Sequence, residues 1–149
     1  MTSVGRRVAA VSVVLTATLL GVGCSDDHPR PITAPAKDTA LAEMSAISPP
    51  PGFVRESDPC ADGYICFHSA SGAAMTAAGY KRVSGAFGVK LTDAQCDSMP
   101  TANDGRTIQN CTAFGRYGRW GVAALLTVRR SDASHAETDV DYAPTRDFG

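Results

Sequence analysis

Between positions 119 and 128, every second residue belongs to one strongly apolar set, the most regular two-residue period of the chain. A two-residue period predicts a β-strand with one buried face, because successive side chains of a strand point to opposite faces of the sheet. The buried face would carry Trp120, Val122, Ala124, Leu126 and Val128. Residues 106–114 also alternate, and the connecting residues 115–118 (GRYG) predict a hairpin between the two strands.

The residues before this hairpin show a helical period. Apolar residues recur every four positions, which predicts a helix of about 16 residues with one apolar stripe formed by Met75, Gly79, Val83 and Phe87. Ser71 is the predicted N-cap of this helix, and the glycine at position 88 is a typical C-terminal stop.

Two shorter segments flank the predicted helix. Residues 64–68 (YICFH) are rich in β-prone side chains and follow an Asp-Gly turn, which predicts a strand. Residues 91–96 fit either a short helical turn that begins with a Thr92–Gln95 capping box or an edge strand. Residues 100–105 (PTANDG) predict a loop.

These segments together predict a small α+β domain over residues 52–130, with one helix packed on an antiparallel sheet of three to four strands. A domain of about 80 residues buries only about 60–65% of the surface of its unfolded chain, so its apolar core supplies little stability. Cross-links between cysteines would compensate for this small core.

Four cysteines lie inside the predicted domain, and an even number in an oxidising compartment predicts two disulfides. Three pairings are open. We favour Cys60–Cys66 with Cys96–Cys111, because each closes a local loop between neighbouring elements. A loop of the size of the second is worth about 3 kcal/mol on the chain-entropy model.

The segments on either side of the domain have a different composition. Residues 24–51 are rich in Pro, Ala, Ser and Asp and contain no aromatic residue, and residues 131–149 are polar and acidic. Such segments bury too little apolar surface to offset the entropy lost on ordering. The first is therefore predicted to be a disordered tether and the second an acidic disordered tail.

The first 23 residues predict a cleaved export signal. Arg6 and Arg7 precede an uncharged, mainly apolar run over residues 8–22. A helix of that length rises about 22 Å, which is short of the roughly 30 Å hydrocarbon core that a spanning helix must cross. Length and flanks therefore favour a signal peptide over a permanent membrane helix.

The run ends in Leu20-Gly21-Val22-Gly23-Cys24 and is followed at once by Ser-Asp-Asp. The LGVGC stretch resembles the lipobox of bacterial lipoproteins. This resemblance implies cleavage before Cys24, a diacylglycerol on its sulfur, and a location at the extracytoplasmic face of the cell membrane. Two alternatives stay open: an uncleaved anchor, or a secreted protein that is cut nearby.

Candidate chemistry is sparse, and the sequence predicts no catalytic, cofactor-binding or metal site. His68 is the one histidine of the predicted domain, and no Gly-x-Ser-x-Gly elbow or regular calcium loop accompanies it. An enzyme would need a site assembled from scattered residues such as His68, Asp93 and Asp97.

The predicted hairpin tip carries the weak binding candidates Arg116, Tyr117, Arg119 and Trp120. Residues of these types often anchor binding partners. The competing interpretation, which we favour, is that Trp120 faces the core and the arginines only solvate the turn.

These features predict an exported, lipid-anchored, non-enzymatic binding module of the cell envelope. Its partner would be an envelope protein or polymer, and the hairpin tip together with Lys81, Arg82 and Lys90 could contact it. A net charge of −1 gives no reason to expect nucleic acid. The alternatives are a small envelope enzyme and a passive structural lipoprotein, and the oligomeric state is open.

Overall fold

The computed structural model describes residues 30–57, 60–97, 101–103, 106–132 and 134–148. The predicted signal peptide and Cys24 lie outside the described residues. Along the described chain, the helices and strands are β1 (Arg30–Pro31), α1 (Ala34–Met44), β2 (Val54–Glu56), β3 (Ile65–Ser69), α2 (Ala77–Ala86), β4 (Lys90–Cys96), β5 (Thr101–Asn103), β6 (Arg106–Tyr117), β7 (Trp120–Arg130) and β8 (Ala136–Asp147).

Six strands form one antiparallel sheet in the order β2-β3-β8-β7-β6-β4, and the short strands β1 and β5 add to β8 and β6. The long strands β6, β7 and β8 form its centre. The prediction of one helix on three to four strands is therefore wrong, because the described chain contains two helices and a larger sheet.

The central strand β8 lies in the segment whose composition predicts a disordered tail. Thr138, Val140 and Tyr142 are buried beneath the helices, and the carboxylates between them lie on the opposite face of the sheet. The acidic composition of the segment therefore reflects one face of a strand. Average composition concealed this, because it does not separate the two faces.

The helix α1 lies in the segment predicted to be a disordered tether. Ala40 and Met44 are fully buried, and Glu43 accepts a hydrogen bond from the indole nitrogen of Trp120 over 2.6 Å. An isolated helix of this length is only marginally stable in water. Packing on the sheet therefore stabilises α1, and sequence composition alone could not show that packing.

The helix α2 is shorter than predicted, since it begins after Thr76 and not after Ser71. The Thr76 side chain accepts a hydrogen bond from the backbone of Gly79 over 3.0 Å. The residues just before Thr76 do not extend the helix. The Gln109 side chain instead forms hydrogen bonds with both the N–H and the C=O of Met75. The predicted end is correct, and Gly88 has a φ of 79°.

The core lies between the helices and one face of the sheet. The strand register aligns Phe67, Val140, Leu126 and Cys111 in one buried row across four strands. From α2, the Oγ of Ser84 accepts a hydrogen bond from the hydroxyl of Tyr142 over 3.1 Å. Both helices therefore cover the same face of the sheet.

The described residues contain two disulfides, Cys60–Cys66 and Cys96–Cys111, which is the pairing favoured from the sequence. Cys96 and Cys111 are direct cross-strand neighbours of β4 and β6. The first disulfide ties the segment before β3 to that strand. It thereby holds a loop against the sheet face that carries no helix in the described chain.

Candidate functional site

The face of the sheet opposite the two helices, called the open face below, contains a recess of about 500 Å³. The acidic recess is defined by its lining residues Glu56, Ala61, Tyr64, Cys66, His68, Leu125, Arg129, Glu137, Asp139 and Asp141. Strands β2, β3, β8 and β7 form its floor, and the loop closed by the Cys60–Cys66 disulfide supplies Ala61 and Tyr64. Four of these residues are carboxylates.

Strand register brings the polar side chains together. Glu137, Asp139 and Asp141 alternate along β8, so all three point to the open face. His68 pairs directly with Asp139, and Arg129 pairs directly with Glu137. Residues far apart in the sequence therefore become neighbours across adjacent strands.

Asp139 is the centre of a charged network. One of its oxygens accepts a hydrogen bond from Nδ1 of His68 over 2.8 Å, and the other contacts the Arg129 guanidinium. Glu56 approaches the same His68 nitrogen at 4.0 Å. The hydrogen bond to Asp139 raises the pKa of His68 above its usual 6.5, because it stabilises the protonated imidazole.

Asp141 has a different environment. Burial, together with the negative charge of Asp139, raises the pKa of Asp141 to about 6. Among the described residues, neither Asp141 nor Glu137 forms an ion pair within 4 Å. The recess therefore holds more negative charge than its own cations neutralise.

Glu56, His68 and Asp139 are the residues of the described chain that could hold a metal ion, since their ligand atoms lie within 4.8 Å of one another. Both Asp139 oxygens, however, already contact His68 and Arg129. A metal ion would have to displace one of these partners. A cationic group could instead approach the free carboxylates without breaking the network.

The chemistry available for covalent catalysis is limited. The His68–Asp139 pair resembles the base and orienting acid of a nucleophilic site, but among the described residues the lining of the recess contains no serine, threonine or free thiol. Cys66 is part of a disulfide. The arrangement is suited to binding positive charge.

The predicted hairpin tip is only partly exposed. Trp120 is fully buried and bonded to Glu43, so it belongs to the core, as the favoured interpretation predicted. The Arg119 guanidinium lies 4.2 Å from the Trp120 ring centroid, and that of Arg116 lies 4.1 Å from the ring centroid of Phe148. Both arginines are exposed, and Tyr117 is half-buried.

The structure does not bring together the residues suggested for an enzyme. His68 lies on β3, whereas Asp93 lies on β4 at the opposite edge, with β8, β7 and β6 between them. Four strand spacings correspond to roughly 19 Å. Asp97, just after β4, accepts a hydrogen bond from the backbone of Asn110.

Four charged residues of the recess are not predicted from the sequence: Arg129, Glu137, Asp139 and Asp141. Arg129 follows the last predicted strand, and the other three lie in the segment predicted to be an acidic disordered tail. The available signal was the alternation of acidic with apolar or small residues over 137–142 (ETDVDY), which matches a half-buried strand. The average composition of residues 131–149 hides this alternation, because it adds the two faces of the strand together.

None of the helices in the described residues is both long and apolar enough to cross a membrane. Comparisons with family models, curated proteins and solved structures found no match to this chain. The functional argument therefore depends on the site itself.

Proposed function

We propose that the chain is an exported protein that a lipid on Cys24 anchors to the extracytoplasmic face of the cell membrane, where it is a non-enzymatic binding module of the envelope. Its ligand is a lysine or arginine side chain in a basic peptide segment of an envelope partner. Its binding site is the acidic recess. The observation that carries this proposal is the convergence of four carboxylates, one arginine and one histidine in one recess.

Electrostatics supports a cationic ligand. Asp141 holds its proton up to a pH of about 6, because burial and Asp139 oppose its ionisation. A bound ammonium or guanidinium group would compensate the negative charge of the ionised Asp141 and thereby favour the ionised form. A concave, partly buried site also screens charge less than an open surface does, so the attraction is stronger there.

The size of the recess supports a side chain or short peptide as ligand. Its volume of about 500 Å³ lies within the range of roughly 300–1,000 Å³ typical of small-molecule sites. Its carboxylates offer polar contact to the charged head of a lysine or arginine, and Leu125 and Tyr64 offer apolar contact to the methylene groups.

The binding proposal is tested by titrating the protein with acetyl-tetralysine amide at about pH 7 and low salt, with tetraglutamate as the control peptide. The double variant Glu137→Gln/Asp141→Asn should weaken tetralysine binding about 10-fold, since each partly exposed ion pair contributes up to about 1 kcal/mol. The matched control is Asp93→Asn, which removes a carboxylate from the opposite edge of the sheet.

An unchanged Kd in the double variant, or an equal loss with Asp93→Asn, would show that the recess is not the site. Wild-type binding should also weaken as the pH falls below about 6, because Asp141 then becomes neutral. Intact-mass analysis of protein from its own envelope tests the anchor separately, since the mature chain should begin at Cys24 and carry acyl groups.

A further inference from the structure

The position of the N-terminal strand determines which end of the fold lies near the proposed anchor. Arg30 and Pro31 form β1 and pair with Asp147 and Arg146 at the C-terminal end of β8. Cys24 precedes Arg30 by six residues, which span at most roughly 20 Å when fully extended. The end of the sheet that contains Asp147 therefore cannot move far from an acylated Cys24.

The same end of the sheet contains the β6–β7 hairpin and the start of β4. Trp120 pairs with Asp147, and Arg116 pairs with both Gly121 and Lys90. We call this region the hairpin end. The acidic recess lies towards the other end, because Asp139 precedes Asp147 by eight residues of one strand, or roughly 27 Å.

The hairpin end is basic and partly apolar. Its basic residues are Lys90, Arg116, Arg119 and Arg146, and its acidic residues are Glu43, Asp93 and Asp147. Glu43 is engaged by Trp120. A groove of about 410 Å³ runs between Phe114, Arg116, Arg146 and Phe148 on the open face, and Phe114 is 62% exposed.

We propose that the hairpin end lies against the membrane and that its arginines contact the phosphates of anionic lipid headgroups. This inference rests on the anchoring part of the proposed function. Exposed guanidinium groups stacked on aromatic rings, with a neighbouring exposed phenylalanine, suit a surface where phosphate and the acyl boundary meet. The short link to Cys24 keeps these groups within reach of that surface.

One consequence concerns the acidic recess. Docking of the hairpin end turns the opposite end of β8 away from the bilayer, so the recess faces the envelope. Its carboxylates are also kept away from anionic lipid, which would repel them. Lipid contact at one end and ligand binding at the other therefore do not compete for the same surface.

The test uses the chain from residue 24 with Cys24→Ser, which keeps every described element and carries no acyl group. Binding is measured by co-sedimentation with vesicles of phosphatidylcholine containing about one-third phosphatidylglycerol, and with vesicles of phosphatidylcholine alone. The double variant Arg116→Gln/Arg119→Gln should bind the anionic vesicles about 10- to 30-fold more weakly, at roughly fivefold for each basic residue near the surface. Neutral vesicles should bind both chains weakly and equally.

The control is Arg130→Gln, which removes a positive charge from the opposite end of β7, and it should leave binding nearly unchanged. The variant Arg116→Lys/Arg119→Lys keeps the charge and should retain most of the binding, which also separates charge loss from unfolding. An equal loss in the control, or a loss in the lysine variant as large as in the glutamine variant, would overturn the proposal.

Failure of this inference and failure of the anchor are distinguishable. If the protein is acylated in its own envelope but the glutamine variant binds vesicles like the parent chain, the orientation is wrong and the anchor stands. If no acyl group is found while the arginines still determine vesicle binding, the anchor is wrong and the lipid-contact surface stands.

Discussion

At the scale of single residues, Asp141 shows how the proposed binding of a cation and the stability of the fold oppose each other in the acidic recess. Burial and the neighbouring Asp139 raise its pKa from 3.8 to about 6. The ionised form is thus less favourable in the folded protein than in the unfolded chain. The protein retains this cost at a position where a cationic ligand would remove it.

This cost predicts that Asp141→Asn raises the free energy of unfolding by an amount that depends on pH. The folded state binds the Asp141 proton more tightly, so the stability of the wild type falls as the pH rises from 3.8 to about 6, and the loss is complete above that range. The variant should therefore be more stable by about 1 kcal/mol near pH 7, after allowance for solvent screening. Urea unfolding across this pH range provides the measurement.

Below roughly pH 4 the gain from Asp141→Asn should vanish, because both states of the wild type then hold the proton. The control Asp93→Asn makes the same substitution on the edge strand β4, outside the recess. A stability difference that stays constant from acid to neutral pH would contradict the assigned environment of Asp141.

At the scale of elements, α1 and β8 are the parts whose role depends on their neighbours. The α1 helix has little intrinsic reason to form, yet it buries Met44 in the core and bonds Trp120 through Glu43. The β8 strand is acidic on one face and apolar on the other. Each was predicted to be disordered from its composition, although α1 buries Ala40 and Met44 and β8 buries Val140 and Tyr142.

The packing of α1 predicts that Met44→Ala destabilises the whole domain. Replacing a fully buried methionine by alanine typically costs about 2–5 kcal/mol, because it loses apolar contacts and leaves a cavity. The free energy of unfolding should fall by that amount in urea titrations. The control Ala42→Ser lies on the exposed side of the same helix and should change it by less than about 0.5 kcal/mol.

A tether that does not pack would give a different result, with Met44→Ala and Ala42→Ser equally harmless. The unfolding transition should also report α1 and the sheet together, since Met44 belongs to the same core as Phe67 and Val140. Loss of helical signal before loss of the sheet would argue against one cooperative unit.

At the scale of the whole molecule, the fold separates two charged surfaces along one sheet. The hairpin end is basic and lies close to the first described residue, and the acidic recess lies towards the far end of β8. Because both surfaces belong to the same strands, their separation is set by the sheet and does not depend on a flexible linker. The proposed anchor and the proposed binding site are thereby oriented relative to each other.

This architecture predicts that a chain truncated after Arg130 does not fold. The truncation removes β8, which pairs with both β3 and β7 in the middle of the sheet. The truncated chain should lack a cooperative thermal transition. Its amide-proton NMR spectrum should have the narrow dispersion of an unfolded chain. The control chain begins at residue 30, keeps every described element and should unfold cooperatively like the chain that begins at residue 24.

A cooperative transition in the chain truncated after Arg130 would contradict this prediction and would support the smaller domain over residues 52–130 that the sequence predicts. The residues that distinguish the two interpretations are Val140 and Tyr142, which are fully buried in the structure. Their replacement by alanine in the full chain should be as damaging as a core substitution in β7, such as Leu126→Ala.

The features that sequence alone determined are those encoded by local pattern. The existence of the β6–β7 hairpin follows from alternation on both sides of a glycine-containing turn, although the turn lies at Gly118 and Arg119 and not over the predicted residues 115–118. The end of α2 follows from the glycine that can adopt a positive φ. The favoured disulfide pairing followed from the closeness of the cysteines in the chain, and the core position of Trp120 from the need of a small domain for large apolar side chains. These are short-range constraints.

Tertiary structure decided the number of strands, the packing of α1 and the composition of the acidic recess. His68 and Asp139 are 71 positions apart and meet only because β3 and β8 are paired in one register. No local pattern contains that pairing, since it arises from burial of apolar faces contributed by distant segments. The same physical reason explains why an acidic tail, apparently too polar to fold, forms the centre of the sheet.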